Sequence, residues 1–326
     1  MNYKAIIRDA WHLTQQNKGL MWWYAFIPEL IGLIVGIAYL TYQVMAFWKS
    51  PVFREYAGET FFDDIFHYLL DLMAANASMG IFVIVFAAVI ALLYFTLPIF
   101  SKAALVQLIA RMRNGQSIKP IDGVSYGFLH FLPLFEYRLL LRTFSLFGLL
   151  GEASFIIRNL GTGAFEILLI PFILIFLIGI ALLLLFAYSE YFIIIDGTKM
   201  MKSMGKSARL VIRHWQHTLL MVLMMVLITL RIFLNIVLVL LIPSLIILST
   251  GILAAFALAK IGLFIGLVLG AIGLYFAAYL GAILEVFTSA VWVFTFLELT
   301  EKGEVSAREV DDKGPRWVSP DADIIA

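Results

Sequence analysis

An apolar stretch of more than 80 residues, running from residue 217 to residue 300, constrains this chain more than any other feature. It contains only four formally charged side chains, Arg231, Lys260, Glu285 and Glu298. A run of about 18 apolar residues is already long enough to cross a bilayer, so this stretch has room for at least two crossings. Hydrophobic residues make up 63% of the chain and charged residues 14%, whereas soluble domains contain about 45–50% and about 25%. We therefore expect an all-α, polytopic membrane helical bundle.

The hydropathy pattern predicts six transmembrane helices within a domain of residues 1–301. The predicted spans are residues 20–47, 80–100, 137–157, 164–195, 218–248 and 252–296. From residue 262 to residue 299 a straight helix would be roughly 57 Å long at about 1.5 Å per residue. That length exceeds a hydrocarbon core of about 30 Å. The last stretch is therefore either one bent or tilted helix or two spans, and a split near residues 270–273 would give seven spans.

Three further segments are predicted outside the spans. Residues 3–18 and residues 61–79 have apolar side chains at helical intervals, which predicts two amphipathic helices. The first can lie in the membrane interface, and the second lies on the outer membrane face or packs over the spans. Residues 302–326 contain few apolar side chains and show no periodicity. This composition predicts a disordered, acidic cytoplasmic tail.

The distribution of Lys and Arg predicts the orientation of the chain, because basic residues are enriched in cytoplasmic loops. Residues 101–119 contain four basic side chains and residues 199–213 contain five, and neither segment contains an acidic one. Residues 49–79, in contrast, contain five acidic side chains. With six spans, this alternation predicts that both termini are cytoplasmic.

Two charged side chains fall deep within predicted spans, where charge is costly and commonly functional. Arg231 and Glu285 lie at similar predicted depths, near 20 Å from the cytoplasmic ends of neighbouring antiparallel helices. We expect them to form an ion pair, with Asn235 one helical turn from Arg231 as a further hydrogen-bonding group. Such a pair either fixes the register of the two helices or forms a polar site for an ion, a proton or a lipid headgroup.

A third charged side chain, Glu29, lies in the first predicted span next to Pro28 and has no local partner. One hypothesis is that Glu29 carries a proton across the membrane. The alternative is a structural ion pair with Arg138 or Arg142 of the third predicted span.

The basic segment at residues 199–213 is the best candidate for an interaction with lipid. Its basic side chains are Lys199, Lys202, Lys206, Arg209 and Arg213, and they flank an apolar helix side. A helix of this kind rests on the inner leaflet and attracts anionic lipid, at about 1 kcal/mol per basic residue near the surface. The alternative is that these charges only set the topology.

Small residues in the last stretch predict a helix-packing face. Gly262, Gly266 and Gly270 follow each other at four-residue intervals, and Ala277 and Gly281 repeat the spacing. Small residues at this spacing let helix backbones approach closely in lipid. The face packs either within the chain or against a second copy, and a homo- or hetero-oligomer is left open.

No motif indicates catalysis. The chain has no cysteine, which excludes disulfides, thiolate zinc sites and thiol nucleophiles. It has five histidines without an HExxH motif, and it lacks GxSxG and phosphate-binding loops. We therefore expect no catalytic residue, cofactor or metal ion. A net charge of +1 gives no reason to expect a nucleic-acid partner, and membrane lipids are the expected partners.

One stretch resembles a pattern found in bacterial membrane proteins: EYFIIIDGTKMMKSMGKSARLVIRHWQHTLLMVLM. In that pattern the end of a helix carries an acidic residue and is followed by a glycine. An amphipathic helix with a central serine comes next, and then a basic residue before a tryptophan. The residues that carry the resemblance are Glu190, Gly197, Ser203, Ser207, Arg209, His214 and Trp215. The string FLELTEKGE, with Phe296, Glu298 and Thr300, stands where such proteins have tyrosine, acid, leucine and arginine. The family consists of uncharacterised multi-pass proteins similar to the membrane domain of glycerophosphoryl diester phosphodiesterase.

This resemblance implies six helices in a bacterial inner membrane and no established reaction. A soluble phosphodiesterase domain has no counterpart in the sequence, so we do not expect that activity. The leading hypothesis is a non-enzymatic scaffold or membrane subunit of a larger assembly. The alternative is a transporter or permease-like component for a lipid or a small hydrophobic solute.

Overall fold

The computed structural model describes residues 2–48, 61–116, 118–142, 144, 146–254 and 259–305, and within them the chain forms helices and no strand. The all-α prediction is therefore confirmed. The helices are α1 (Tyr3–Gln16), α2 (Lys18–Met21), α3 (Ile27–Trp48), α4 (Phe61–Ala75), α5 (Ala77–Arg113), α6 (Gly123–Arg142), α7 (Leu146–Leu185), α8 (Ser189–Ile194), α9 (Met200–Arg213), α10 (Trp215–Ala254) and α11 (Ala259–Val305). A π-helical turn (Trp22–Phe26) joins α2 to α3, and a 3-10 turn (Pro120–Asp122) precedes α6.

Five helical segments of the described chain are long and apolar enough to cross a membrane. They are Lys18–Trp48, Ala77–Arg113, Leu160–Leu185, Trp215–Asn235 and Val268–Glu301, and they overlap all the predicted spans except the third. The helix α11 is continuous through residues 270–273, so the alternative with a split at that point is wrong. Most of the predicted tail, residues 306–326, lies outside the described residues, and α11 extends through Val305.

The third predicted span, residues 137–157, is not one helix. The helix α6 ends at Arg142 and α7 begins at Leu146. The rest of the predicted span falls in the first segment of α7, residues 146–160, which is roughly 22 Å long at about 1.5 Å per residue. This segment is shorter than a hydrocarbon core of about 30 Å, so it does not make a full crossing as a straight helix.

A sharp turn at Gly161 divides α7 into two antiparallel segments. Gly161 has a φ of +83°, a conformation that glycine adopts without the steric cost of a side chain. Beyond the turn, a Cβ atom added to Gly179 would lie 3.2 Å from the backbone oxygen of Phe144. Residues on the two sides of Gly161 therefore meet, and α7 is a helical hairpin.

The fourth predicted span, residues 164–195, is also shorter than expected. The second segment of α7 ends at Leu185, and the chain turns before the buried helix α8. The hydroxyl of Ser207 on α9 donates to the Leu185 carbonyl at 2.8 Å and accepts from the Tyr188 N–H at 3.1 Å. These bonds satisfy backbone groups that the break between α7 and α8 would otherwise leave unpaired.

Burial divides the molecule into two regions along the long helices. In α5, residues 101–110 are buried, whereas residues 81–92 are almost all exposed and apolar. In α11, most of residues 277–300 are buried and most of the described side chains of residues 264–276 are not. We call the two regions the packed half, which contains α1, α8, α9 and the buried ends of α5 and α11, and the exposed apolar half.

The exposed apolar half has the dimensions of a bilayer core. Its part of α5, residues 77–98, is roughly 33 Å long, close to a hydrocarbon thickness of about 30 Å. Apolar side chains exposed over this length find suitable surroundings in lipid, where they need no protein contact. We infer that the exposed apolar half lies in the hydrocarbon core and that the packed half lies at one membrane interface.

Both predicted amphipathic helices are helical in the structure, as α1 and α4. The helix α1 does not lie free on a membrane, because its residues Ile6 and Ala10 are buried and Trp11 packs edge-on against Phe287 of α11, with ring centroids 5.8 Å apart. It is therefore part of the packed half.

Candidate functional site

Glu285 pairs with Lys102 of α5, not with Arg231. The Lys102 ammonium donates to Glu285 Oε1 at 2.9 Å and to Ser289 Oγ at 2.9 Å, and Ser289 Oγ donates to the same carboxylate at 3.2 Å. Arg231 and Asn235 are exposed on α10. The predicted pair is wrong, because Lys102 engages the Glu285 carboxylate and Arg231 is exposed.

The second predicted span ends at residue 100, and Lys102 lies in the basic segment that follows it, residues 101–119. The helix α5 continues to Arg113, and its residues 101–110 belong to the packed half. Only 8% of the Lys102 side chain is exposed. One signal of burial was available in the sequence, since eight uncharged and mostly apolar residues separate Lys102 from Arg111.

A second ion pair extends the network to α6 and α8. Glu190 of α8 lies between two cations, with Arg138 at 3.5 Å and Lys102 at 3.9 Å from its carboxylate oxygens. The sequence placed Glu190 at a helix end and Arg138 in the third predicted span, and the structure brings them together. The packing of α5, α6, α8 and α11 therefore collects two cations and two carboxylates in one place.

These charges line a cavity of 250 Å³ at the boundary between the packed half and the exposed apolar half. Its charged lining residues are Glu29, Lys102, Arg138, Glu190 and Glu285, and the other lining residues are Tyr24, Ala25, Pro28, Pro98, Ser101 and Leu105. We call this space the charged cavity. It can bind a polar or charged group through ammonium, guanidinium and carboxylate side chains.

The backbone just before Glu29 departs from a regular α-helix. Proline lacks an N–H, so Pro28 cannot bond the carbonyl four residues before it, at Tyr24. The chain accommodates this gap with the π-helical turn at Trp22–Phe26, and such turns are frequent at functional sites. The Tyr24 hydroxyl anchors the turn by donating to the Pro120 carbonyl at 2.5 Å.

Glu29 is not ion-paired with either arginine that the sequence suggested. Within the described residues, Arg138 pairs with Glu190, and the Arg142 guanidinium lies 4.9 Å from the ring centroid of Phe95. The Glu29 carboxylate instead lies against Gly281, where an added Cβ atom would be 2.8 Å from Oε2. The structural alternative for Glu29 is therefore wrong, and the proton-carrier hypothesis stays a prediction.

A second, mostly apolar space of 540 Å³ adjoins the charged cavity. We call it the apolar groove. It shares Pro28, Glu29, Pro98 and Arg138 with the cavity, and its other lining residues are Gly32, Tyr94, Phe95, Ile99, Phe135, Leu139, Leu141, Arg142 and Leu183. Phe95 and Leu139 are among the exposed apolar side chains, so the groove extends from the charged cavity into the exposed apolar half.

The basic residues predicted to contact anionic lipid lie on or next to α9. Lys199, Lys202, Arg209 and Arg213 are exposed. Lys206 is engaged within the protein, since its ammonium lies 2.9 Å from Asp196 and 5.2 Å from the ring centroid of Phe192. Lipid binding by α9 stays a prediction.

The predicted glycine face is described in part. Gly270 is half-buried, while the surroundings of Gly262 and Gly266 lie outside the described residues. Further along α11, Ala277 and Gly281 are buried, and Gly281 packs against Glu29 of the first span. The small residues of this later part thus serve packing within the chain.

Known proteins do not identify the chemistry of this site. Comparison with protein-family models finds no match, and no curated protein or solved structure shows a significant similarity to the chain. In the parts of the chain that the structure describes, no three His, Asp or Glu side chains form a group that could hold a metal ion. The function proposed below therefore rests on the charged cavity and the apolar groove.

Proposed function

We propose that this protein binds and moves an amphipathic molecule, as a non-enzymatic transporter or permease-like component. The observation that supports the proposal is the junction of the charged cavity with the apolar groove. A molecule with a polar headgroup and an apolar chain matches both spaces at once. Neither a soluble polar solute nor a hydrocarbon would use both.

The volumes suit a molecule of about the size of a single-chain lipid. The charged cavity of 250 Å³ alone lies below the range of about 300–1,000 Å³ that is typical of small-molecule sites. The adjoining groove of 540 Å³ extends the available space into that range. The headgroup would occupy the cavity and the chain would occupy the groove.

The charge distribution supports a cytoplasmic position for the packed half. It carries Arg111, Arg113 and the basic helix α9, and basic residues concentrate on the cytoplasmic side of membranes. In this orientation the groove accepts molecules from the inner leaflet, and the exposed basic residues of α9 contact anionic lipid there. We place the protein in a bacterial inner membrane on the basis of the family resemblance. Both termini are then cytoplasmic, because α1 and the buried end of α11 both belong to the packed half.

A groove-filling substitution tests binding. Gly32 lines the apolar groove, and no atom lies within 4 Å of an added Cβ there. Gly32→Phe should fill the groove without disturbing the packed half. Gly36→Phe is the matched control, because Gly36 lies one turn further along α3 in equally open surroundings and does not line the groove.

The assay is photolabelling of the full chain in lipid nanodiscs by a single-chain phospholipid with a diazirine in its chain. We expect wild type and Gly36→Phe to be labelled on α5 and α6 next to the groove. In Gly32→Phe the lipid loses on the order of 50 Å² of apolar contact. At about 25 cal/mol per Å², this loss lowers its affinity roughly tenfold. Equal labelling of the two variants would refute binding in the groove.

Movement is tested with the same three proteins in reconstituted vesicles. Wild type and Gly36→Phe should carry a fluorescent single-chain amphiphile between leaflets faster than protein-free vesicles do, and Gly32→Phe should be slower. Binding without movement would favour the second candidate, a scaffold or membrane subunit in a homo- or hetero-oligomer. The observation in favour of that candidate is that Lys102 and Arg138 already have carboxylate partners within the chain.

A further inference from the structure

The charged cavity contains one more negative than positive group. Two cations, Lys102 and Arg138, face three carboxylates, Glu29, Glu190 and Glu285. Glu285 pairs with Lys102 and Glu190 pairs with Arg138. Glu29 has no ion-pair partner among the residues that the structure describes. The surplus charge of the cavity therefore belongs to Glu29.

The position of Glu29 makes this surplus accessible to a ligand. Its carboxylate rests against the bare backbone of Gly281, and its side chain lines both the charged cavity and the apolar groove. It thus stands where the headgroup of a molecule in the groove would meet the cavity. A carboxylate without an ion-pair partner is costly away from bulk water, and a proton or a cationic group in direct contact with Glu29 lowers that cost.

Building on the function proposed above, we infer that Glu29 holds either one proton or the ammonium headgroup of a cationic amphiphile whose chain lies in the groove. When the ammonium group enters, the Glu29 carboxyl releases its proton to water, and the resulting carboxylate binds the ammonium as an ion pair. One positive charge leaves as one enters, so the net charge of the cavity is unchanged. The site therefore exchanges protons for amphiphile cations one for one, as an antiporter requires.

Other ionisable groups line the charged cavity or the apolar groove together with Glu29. The charged ones are Lys102 of α5, Arg138 and Arg142 of α6, Glu190 of α8 and Glu285 of α11. Two tyrosines, Tyr24 and Tyr94, also line these spaces. Lys102, Arg138, Glu190 and Glu285 are held in mutual ion pairs, and Arg142 bears a fixed positive charge at neutral pH. Glu29 is the group left to exchange its proton.

The test measures how the affinity for two amphiphiles depends on pH. Dodecyltrimethylammonium is the cationic probe, because its charge does not change with pH, and a dodecyl chain with an uncharged maltose headgroup is the matched neutral probe. Both compete with the diazirine lipid for the full chain in nanodiscs. We expect the affinity for the cationic probe to rise with pH by up to about tenfold per pH unit, since each bound cation displaces one proton. The affinity for the neutral probe should not rise in this way.

Two variants assign the effect to Glu29. In Glu29→Gln the affinity for the cationic probe should fall and lose its pH dependence, while the neutral probe still binds. Glu136→Gln removes an exposed carboxylate of α6 that does not line the cavity, and it should behave like wild type. If Glu29→Gln does not fold, calorimetry of wild type in two buffers of different ionisation enthalpy counts the protons released, and we expect up to about one per bound cation.

The outcomes separate this inference from the function on which it rests. If both probes bind with the same, pH-independent affinity, or if calorimetry detects no released proton at any pH, the exchange at Glu29 is refuted and amphiphile binding stands. If neither probe displaces the diazirine lipid, the proposed function itself fails. If the pH dependence persists in a folded Glu29→Gln variant, another group releases the proton and the assignment to Glu29 is wrong.

Discussion

Removal of the Lys102 ammonium should strongly destabilise the packed half. We propose Lys102→Met, which keeps an unbranched chain of similar length and removes the charge. Glu285 then retains Ser289 as a hydrogen-bond donor but loses its cation. A partly buried carboxylate left without its cation is the main source of the cost.

The expected loss of stability follows from the distance between the two charges and from their burial. At a separation of 2.9 Å between Lys102 Nζ and Glu285 Oε1, two unit charges attract by about 6 kcal/mol at an effective dielectric constant of about 20. The cost of withdrawing both groups from water offsets much of this attraction, and loss of one partner of a buried pair typically costs about 3–5 kcal/mol. The Glu285 side chain is 33% exposed, so water can solvate part of the remaining charge. We expect Lys102→Met to lower the free energy of unfolding by about 3 kcal/mol, at the lower end of that range.

A double-mutant cycle measures the pair directly, by equilibrium unfolding in mixed micelles with increasing sodium dodecyl sulfate. Lys102→Met and Glu285→Gln should together cost less than the sum of the single changes, with a coupling of about 2 kcal/mol. The matched cycle pairs Arg231→Met with Glu285→Gln and should show a coupling within about 0.5 kcal/mol of zero. A large coupling to Arg231, or none to Lys102, would refute the pairing of Glu285 with Lys102.

Two further predictions concern the backbone. Ser207→Ala leaves buried backbone groups unpaired at the break between α7 and α8, so we expect the free energy of unfolding to fall by about 1–3 kcal/mol. The control is Ser78→Ala, at an exposed serine, which should change the free energy of unfolding by less than about 0.5 kcal/mol. Thermal unfolding of both variants measures the difference. Gly161→Ala places a side chain at a φ of +83° and should cost about 1–2 kcal/mol. Gly163→Ala lies in an open helical position and should be neutral or slightly stabilising in the same assay, and equal effects at the two glycines would contradict the turn.

The sequence predicted the helical class and most of the spans because lipid imposes a simple requirement on them. A chain that crosses the hydrocarbon core must bond its own backbone and present apolar side chains over about 20 residues. Residues 20–47 and residues 80–100 meet that requirement and are helical in the structure. The third span was predicted as one crossing helix, and this prediction is wrong. Its apolar side chains are divided between the end of α6 and the first segment of the α7 hairpin.

The partner of Glu285 could not be predicted, because a uniformly apolar helix has no polar face to show its rotation about its axis. Successive side chains differ by about 100° around a helix, so Arg231 on α10 could point toward Glu285 or toward lipid. Lys102 lies 183 residues before Glu285 in the chain, and nothing local in the sequence connects the two. Their meeting depends on how α5 and α11 pack.

By itself, the sequence determined that this chain is a helical membrane protein, because hydropathy and helical length are properties of each segment alone. Tertiary structure alone decided which charges meet. Lys102, Arg138, Glu190 and Glu285 neutralise one another only after four helices have packed, and Glu29 is left as the surplus carboxylate at the mouth of an apolar groove. The physical reason is that the cost of a buried charge depends on its neighbours within a few ångströms, and these neighbours come from distant parts of the chain.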